Sequence, residues 1–129
     1  MPRTLLLLLL ALAVVLEAGL TGGAFFAPAS TLLQFGAAYG PSTAFLTYIV
    51  AWLLLGITLV AALALAWVWR RRRGYAGLCY VLGLWWMGIG VGIYATFGRP
   101  DNLALDSLKG LLLVGLTVWC QARRAVVQR

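Results

Sequence analysis

The segment Arg70-Arg71-Arg72-Arg73-Gly74 divides the sequence into two apolar halves. Each half contains runs long enough to cross a bilayer, which takes roughly 20 residues. Arginines that cluster beside apolar runs are typical of the cytoplasmic side of a membrane protein. The arginine tract therefore predicts a cytoplasmic hinge between two transmembrane hairpins, with Arg70 to Arg73 at the membrane surface.

The composition favours a membrane protein over a soluble one. Of the 129 residues, 64% are hydrophobic and only 10% are charged. So few charges cannot cover the surface of a soluble domain of this size, so lipid must be the solvent for much of the chain. We therefore predict one integral membrane domain over residues 1–129, without a soluble catalytic domain.

The apolar runs predict an all-α fold, a four-helix transmembrane bundle with spans at residues 4–24, 43–69, 75–97 and 104–122. The first run resembles a signal peptide, but it lacks a clean small-x-small cleavage site, so we expect a retained helix. The basic residues concentrate on one side. This distribution predicts a bacterial inner-membrane protein with both termini in the cytoplasm.

The net charge of +7 does not indicate a nucleic-acid partner. The basic residues lie at the ends of apolar runs, where attraction to anionic lipid headgroups is a sufficient role. These residues are Arg3, Arg70 to Arg73, Arg123, Arg124 and Arg129. The expected partner is the lipid bilayer, with a homo-oligomer or a membrane partner protein as further options.

Catalytic and metal sites find no support in the sequence. Histidine is absent, and Cys79 and Cys120 form no Cys-x-x-Cys motif. A zinc site or a disulfide framework is therefore unsupported. Both cysteines are predicted near the reducing cytoplasm, which argues against thiol-disulfide catalysis. We expect no enzyme activity, no catalytic residue and no metal.

Two short features are predicted on the outer side. Glycine, proline and aromatic residues after the first span indicate an interfacial loop, with a short helix within residues 30–38 capped by Ser30 or Thr31. In the second outer turn, Asp101 or Asn102 is predicted to cap the fourth span.

Charged residues inside the spans are the main candidates for a ligand or ion site. Glu17 and Lys109 are predicted at similar depth in the outer part of the membrane, where an isolated charge is costly. Lys109 also lies near the positive end of its helix macrodipole, which favours an anionic partner. Asp106 lies three residues earlier on the same helix face. We predict a cluster of Glu17, Asp106 and Lys109 that faces the bundle interior.

The structural alternative for this cluster is that it joins the helices, or that Lys109 extends to the outer headgroups. A third use of the charges is transport, with Glu17 and Lys109 as a charge-coupled site. All prolines lie at predicted span ends, so the midplane helix breaks typical of transporters are not indicated.

Small and weakly polar residues recur at helical spacing on three spans, which predicts stripes that face the bundle interior. Such stripes either line a cavity or serve ordinary helix packing. The stripes are Thr43, Thr47, Ala51 and Thr58; Cys79, Gly83, Trp86 and Gly90; and Asp106, Lys109, Gly110, Leu113, Thr117, Cys120 and Arg124. Thr117 is for this reason a further candidate site residue.

Trp85 and Trp86 lie near the middle of the third span, away from the interfaces that tryptophan prefers. One interpretation is a stacking wall for a flat apolar ligand such as a quinone or lipid. The alternative is that one ring packs in the core and the other faces lipid. The pairs Gly19/Gly23 and Gly88/Gly92 have the spacing for close helix approach, within the chain or in a homo-oligomer.

The order of these features resembles the DoxX-like small bacterial membrane proteins, and among them the BphX-like branch. The features are a first helix followed by a loop with Pro28 and Gly36, Gly40-Pro41 at the start of the second helix, and the turn Gly98-Arg99-Pro100. Many members carry an arginine in the second helix, whereas this sequence has none between residues 43 and 69. The resemblance implies an accessory membrane protein, sometimes associated with redox enzymes or oxidative stress. It implies no catalytic residues.

The sequence therefore predicts a non-enzymatic accessory or ligand-binding membrane protein whose interior accepts a small apolar molecule. No cofactor is expected, and a bound quinone or lipid is one option for this molecule. The alternative function is a small transporter that uses Glu17 and Lys109.

Overall fold

A computed structural model describes residues 1–127, which form five helices and no strand. The helices are α1 (Pro2–Phe26), α2 (Pro28–Gln34), α3 (Pro41–Trp69), α4 (Tyr75–Phe97) and α5 (Pro100–Val127). By length and composition, α1, α3, α4 and the segment Pro100–Arg123 of α5 can cross a membrane. The predicted all-α bundle is therefore confirmed. Arg129, one of the basic residues predicted on the inner side, lies outside the described residues.

The four long helices form a ring in chain order. Helix α1 packs against α3 and α5, and α4 packs against the same two helices. The bundle has two ends. The arginine end comprises the start of α1, the connection 70–74 and the end of α5. The turn end comprises α2 and the connection 98–99 between α4 and α5.

Arg3 joins α1 to α3 at the arginine end. Its Nε donates to the carbonyl oxygen of Val68 at 3.2 Å, and its Nη2 donates to that of Trp69 at 2.7 Å. The last carbonyls of a helix lack partners within the helix, and a cation there interacts favourably with the helix dipole. Arg3 therefore caps α3, a role beyond the contact with headgroups expected from the sequence.

Each of the four prolines is the first residue of a helix. Proline suits this position because its ring fixes a helical φ and its missing N–H would have no partner there. The residues are Pro2, Pro28, Pro41 and Pro100. The other four helices therefore begin at a proline, and α4 is the exception. Helix α4 follows Gly74, which adopts a left-handed conformation (φ 92°).

The N-cap residues predicted for the two outer-side helices are wrong, because both helices begin at a proline instead. The short helix covers Pro28–Gln34, and the hydroxyls of Ser30 and Thr31 donate to the carbonyl of Ala27 instead of capping it. Helix α5 begins at Pro100, so Asp101 and Asn102 lie within its first turn and neither is the N-cap.

The predicted interior stripes face the interior of the bundle. Their buried members are Thr47 and Ala51 on α3; Cys79, Gly83, Trp86 and Gly90 on α4; and Gly110, Leu113, Thr117 and Cys120 on α5. Arg124, the last residue of the third stripe, lies outside the described side chains. The stripes bring the charged residues of α5 onto the side of the helix that faces its neighbours.

The closest helix contact joins α4 and α5 through glycines other than those predicted. A Cβ at Gly110 would overlap the carbonyl oxygen of Gly83 and would lie 2.7 Å from Met87 Cγ. In contrast, a Cβ at Gly88 or Gly92 would meet nothing within 4 Å. The Gly88/Gly92 pair therefore does not pack helices within the chain.

Candidate functional site

The predicted cluster of Glu17, Asp106 and Lys109 is present in the structure. Lys109 Nζ lies 2.7 Å from Glu17 Oε1 and 2.9 Å from Asp106 Oδ1. Glu17 precedes the end of α1 by nine residues, and Lys109 follows the start of α5 by nine. Both therefore lie about 14 Å from the turn end of their helices. The ammonium joins α1 to α5 within the membrane-spanning segments.

The cluster is held in place from both helices. On α5, Asp106 and Lys109 are three residues apart and share one face. Gly90 of α4 allows α5 to approach, because a Cβ there would lie 3.1 Å from Asp106 Cβ. On α1, the hydroxyl of Thr21 donates to the Glu17 carbonyl at 2.7 Å and lies 3.1 Å from the hydroxyl of Thr58 on α3.

Trp86 contributes an aromatic surface to the cluster. Its ring centroid lies 4.5 Å from Lys109 Nζ, a distance at which the ring attracts the ammonium through its π face. Only 1% of Trp86 is exposed, and its Nε1 donates to no acceptor among the described residues. A buried indole N–H normally has a partner, so this atom is a free donor beside the charged cluster.

The cluster lies in a cleft of about 760 Å³ between α1 and α5. Apolar residues of both helices form its walls, Trp86 and Ile89 lie at its base, and α2 lies at the turn end. The wall residues are Leu9, Leu12, Leu16 and Leu20 on α1, and Leu105, Leu108 and Leu112 on α5. The cleft opens on the exposed surface of the helix bundle, because four of its leucines are exposed: Leu12, Leu16, Leu105 and Leu108.

A second ion pair lies in the same cleft, near the turn end. Arg99 Nε and Nη2 donate to the two oxygens of Asp101, at 3.2 and 2.9 Å, and Nη1 donates to the Gln34 carbonyl at 2.9 Å. The hydrogen bond to Asp101 raises the pKa of Arg99 above its usual value. The contact with Gln34 has no local sequence signal, because it depends on α2 lying against the α4–α5 turn.

Nearly all charged side chains that lie outside the arginine end therefore line this cleft. The sequence contains three acidic residues and one lysine, and all four line the cleft together with Arg99. The acidic residues are Glu17, Asp101 and Asp106.

Trp85 and Thr117 do not belong to this site. Trp85 is 45% exposed and lies in a shallow groove with Gly88 and Gly92, because successive residues of a helix point in different directions. The interpretation of Trp85 and Trp86 as one stacking wall for a flat apolar ligand is therefore wrong, and the alternative of one ring in the core and one ring facing outward is observed. Thr117 is fully buried and donates to the Leu113 carbonyl at 2.7 Å.

Thr117 lies two helical turns beyond Lys109, roughly 12 Å along α5, so it packs in the core towards the arginine end. Cys79 and Cys120 are also buried, with no disulfide between them. Arg70 to Arg73 are exposed at the arginine end, on the connection that separates α3 from α4. Within residues 1–127, no three His, Cys, Asp or Glu side chains are grouped as metal ligands.

Comparison with known proteins identifies no relative: no family model, no curated protein and no solved structure matches the chain. The functional conclusion below is therefore based on the geometry of the cleft.

Proposed function

We propose that this membrane protein binds a small amphipathic molecule, taken from the bilayer, in the cleft between α1 and α5. The observation that carries the proposal is a cleft with leucine walls, open at the bundle surface, that contains a partly buried cluster of charged groups. Binding sites for small molecules commonly combine apolar walls with a few convergent polar groups.

The dimensions of the cleft suit a molecule with an apolar chain. On α1 its lining extends from Leu9 to Gly23, which corresponds to roughly 21 Å along the helix. The exposed leucines at its mouth provide an apolar route from the lipid. A polar end group would meet Glu17, Asp106 and Lys109, and an acceptor oxygen could satisfy Trp86 Nε1. This arrangement favours an amphipathic ligand over the purely apolar molecule expected from the sequence.

The physiological setting belongs to the same proposal. We propose that the arginine end lies at the cytoplasmic face of a bacterial inner membrane, which would put the cleft towards the outer face. The role is non-enzymatic and accessory, as the resemblance to DoxX-like proteins implies, and a quinone or lipid fits the cleft as a molecule with an apolar body and a polar end. A homo-oligomer or a partner protein would use the bound molecule.

Transport is the second candidate function. The observation that favours it is the Glu17–Lys109 ion pair, which joins the two helices on either side of the cleft. Separation of this pair would let α1 and α5 move apart. In proteoliposomes, Glu17→Gln would abolish uptake of the transported molecule, whereas unchanged flux in this variant would exclude the charge-coupled mechanism.

Photo-crosslinking in lipid nanodiscs tests ligand binding. A dodecanol analogue with a diazirine in its chain is expected to label residues of α1 and α5 that line the cleft. Gly19→Trp should prevent this labelling, because Gly19 lines the cleft and a Cβ at this position would meet nothing within 4 Å.

Gly56→Trp provides the matched control. Gly56 is exposed on α3, has equally open surroundings and does not line the cleft. Equal labelling of cleft residues in the wild type and both variants would contradict the proposal, because the probe would then be reporting lipid exposure alone.

A further inference from the structure

We infer that the molecule bound in the cleft is an amphipathic ammonium compound, whose positive head group lies against Glu17 and Asp106. The inference rests on the proposed function, since it specifies the chemical class of the ligand of the same cleft. It follows from the charge balance of the cleft and from the carboxylate oxygens that remain free there.

The cleft carries one negative charge in excess. Three carboxylates face two cationic side chains, Lys109 and Arg99. Arg99 and Asp101 neutralise each other through two hydrogen bonds at the turn end. The excess charge therefore lies in the cluster, where Lys109 alone balances Glu17 and Asp106.

The neighbouring helices supply no further charge to offset this excess. Helix α4 contributes Trp86 to the surroundings of the cluster, α3 contributes Leu54, and α2 contributes the uncharged Thr31 and Gln34. Among the described residues, the cluster thus keeps a formal charge of −1 within the membrane-spanning segments, where an unbalanced charge is costly. A monovalent cation in the cleft would remove that cost.

Each carboxylate also has an oxygen available for such a cation. Lys109 contacts Oε1 of Glu17 and Oδ1 of Asp106, and no described residue donates to Oε2 of Glu17 or Oδ2 of Asp106. The N–H groups of an ammonium compound can donate to these two oxygens. Side-chain exposure of 5% for Glu17 and 18% for Asp106 makes Asp106 the more accessible partner.

Trp86 does not contribute to cation binding, because Lys109 already lies 4.5 Å from its ring centroid, only 1% of the residue is exposed, and its free Nε1 is a donor. The preference for a cation therefore comes from the charge of the two carboxylates. A carboxylate or phosphate head group would be repelled by the excess negative charge. A neutral head group would leave that charge unbalanced. The leucine walls then accept the aliphatic part of the ligand, as in the proposed function.

The test uses three photoactivatable probes with the same dodecyl chain and different head groups: an ammonium, a hydroxyl and a carboxylate. Each is added to nanodiscs of a zwitterionic lipid at equal membrane-bound concentration, and labelling of cleft residues is quantified. The ammonium probe is expected to label wild-type protein at the lowest concentration. A stronger labelling of the cleft by the hydroxyl or carboxylate probe would overturn the inference.

Variants at Asp106 test the assigned contact. Asp106→Asn removes the excess charge and retains the Glu17–Lys109 pair, so it should weaken ammonium labelling about tenfold. Asp106→Glu keeps the charge and should restore labelling. Asp101→Asn removes a charge from the turn end and should cause a smaller loss. An equal loss in Asp106→Asn and Asp101→Asn would overturn the assignment to the cluster.

These outcomes also separate the inference from the proposed function. If the hydroxyl probe labels the cleft and Gly19→Trp blocks it, while ammonium labelling is weaker, the cleft binds amphipathic molecules of another class. If no probe labels cleft residues, both conclusions fail. The comparison of probes on the wild-type protein is decisive even if a variant does not fold.

Discussion

Replacement of Lys109 should destabilise the protein much more than replacement of Glu17, although the two side chains form one ion pair. Lys109 contacts two carboxylates, at 2.7 and 2.9 Å. At an effective dielectric constant of about 20, opposite charges at these distances attract each other by roughly 6 kcal/mol before desolvation is subtracted. Lys109→Gln removes both attractions and leaves two carboxylates without a cation. Loss of one partner of a buried pair typically costs about 3–5 kcal/mol.

Glu17→Gln has a smaller cost for two reasons. Lys109 keeps its contact with Asp106, so the ammonium is not left without an anion. The glutamine amide oxygen can also still accept a hydrogen bond from Lys109. We therefore expect a loss of about 1.5–3 kcal/mol, the range for a hydrogen bond to a charged group.

The free energy of unfolding can be measured in mixed micelles by titration with sodium dodecyl sulfate, followed by tryptophan fluorescence. Asp101→Asn is the control, because the Arg99–Asp101 pair is exposed at the turn end and should leave stability unchanged. Equal losses of unfolding free energy in Lys109→Gln and Glu17→Gln would refute the conclusion that Lys109 stabilises both carboxylates.

Two further predictions follow from the helix contacts, and a third follows from the proposed topology. Gly110→Ala should cost about 1–3 kcal/mol of unfolding free energy through overlap with α4, whereas Gly88→Ala, with nothing within 4 Å, should be close to neutral in the same titration. Arg3→Gln should lower stability by about 1 kcal/mol because carbonyls at the end of α3 lose a charged donor; an unchanged midpoint would contradict the capping role. In intact cells, and without the two native cysteines, Gly98→Cys should react with a membrane-impermeant maleimide and Arg72→Cys should not; the reverse pattern would invert the proposed topology.

The sequence was sufficient to predict the bundle because each span is a long apolar run with a clear end. The third span was predicted at residues 75–97, and α4 has these bounds, since Gly74 and Gly98 adopt left-handed conformations on either side (φ 92° and 65°). The other helices begin earlier than predicted. Their starts are at prolines, which lie just outside the predicted spans although proline also suits the first position of a helix.

The charged cluster was predictable for a different reason. Depth along a helix follows from residue count, so Glu17 and Lys109 could be placed at the same level before the helix order was known. Their cost in lipid then favoured a direct contact, which the structure shows.

The cleft itself could not be predicted. Its turn end requires Arg99 to contact the carbonyl of Gln34, 65 residues away in the chain, and no local pattern encodes such a contact. Glycine spacing was also a poor guide. The pair Gly88/Gly92 has the favourable spacing, yet the actual contact uses Gly83 and Gly110, because the orientation of α4 is set by which face packs on α5.

Ligand binding in the cleft is tested most directly by native mass spectrometry of the protein after gentle extraction from its own membrane. We expect wild-type protein and Gly56→Trp to retain a reproducible bound molecule of amphipathic character, and Gly19→Trp to lose it. A bound molecule that persists at the same occupancy in Gly19→Trp would show that the cleft between α1 and α5 is not its site. Wild-type protein without any bound molecule would contradict the binding function.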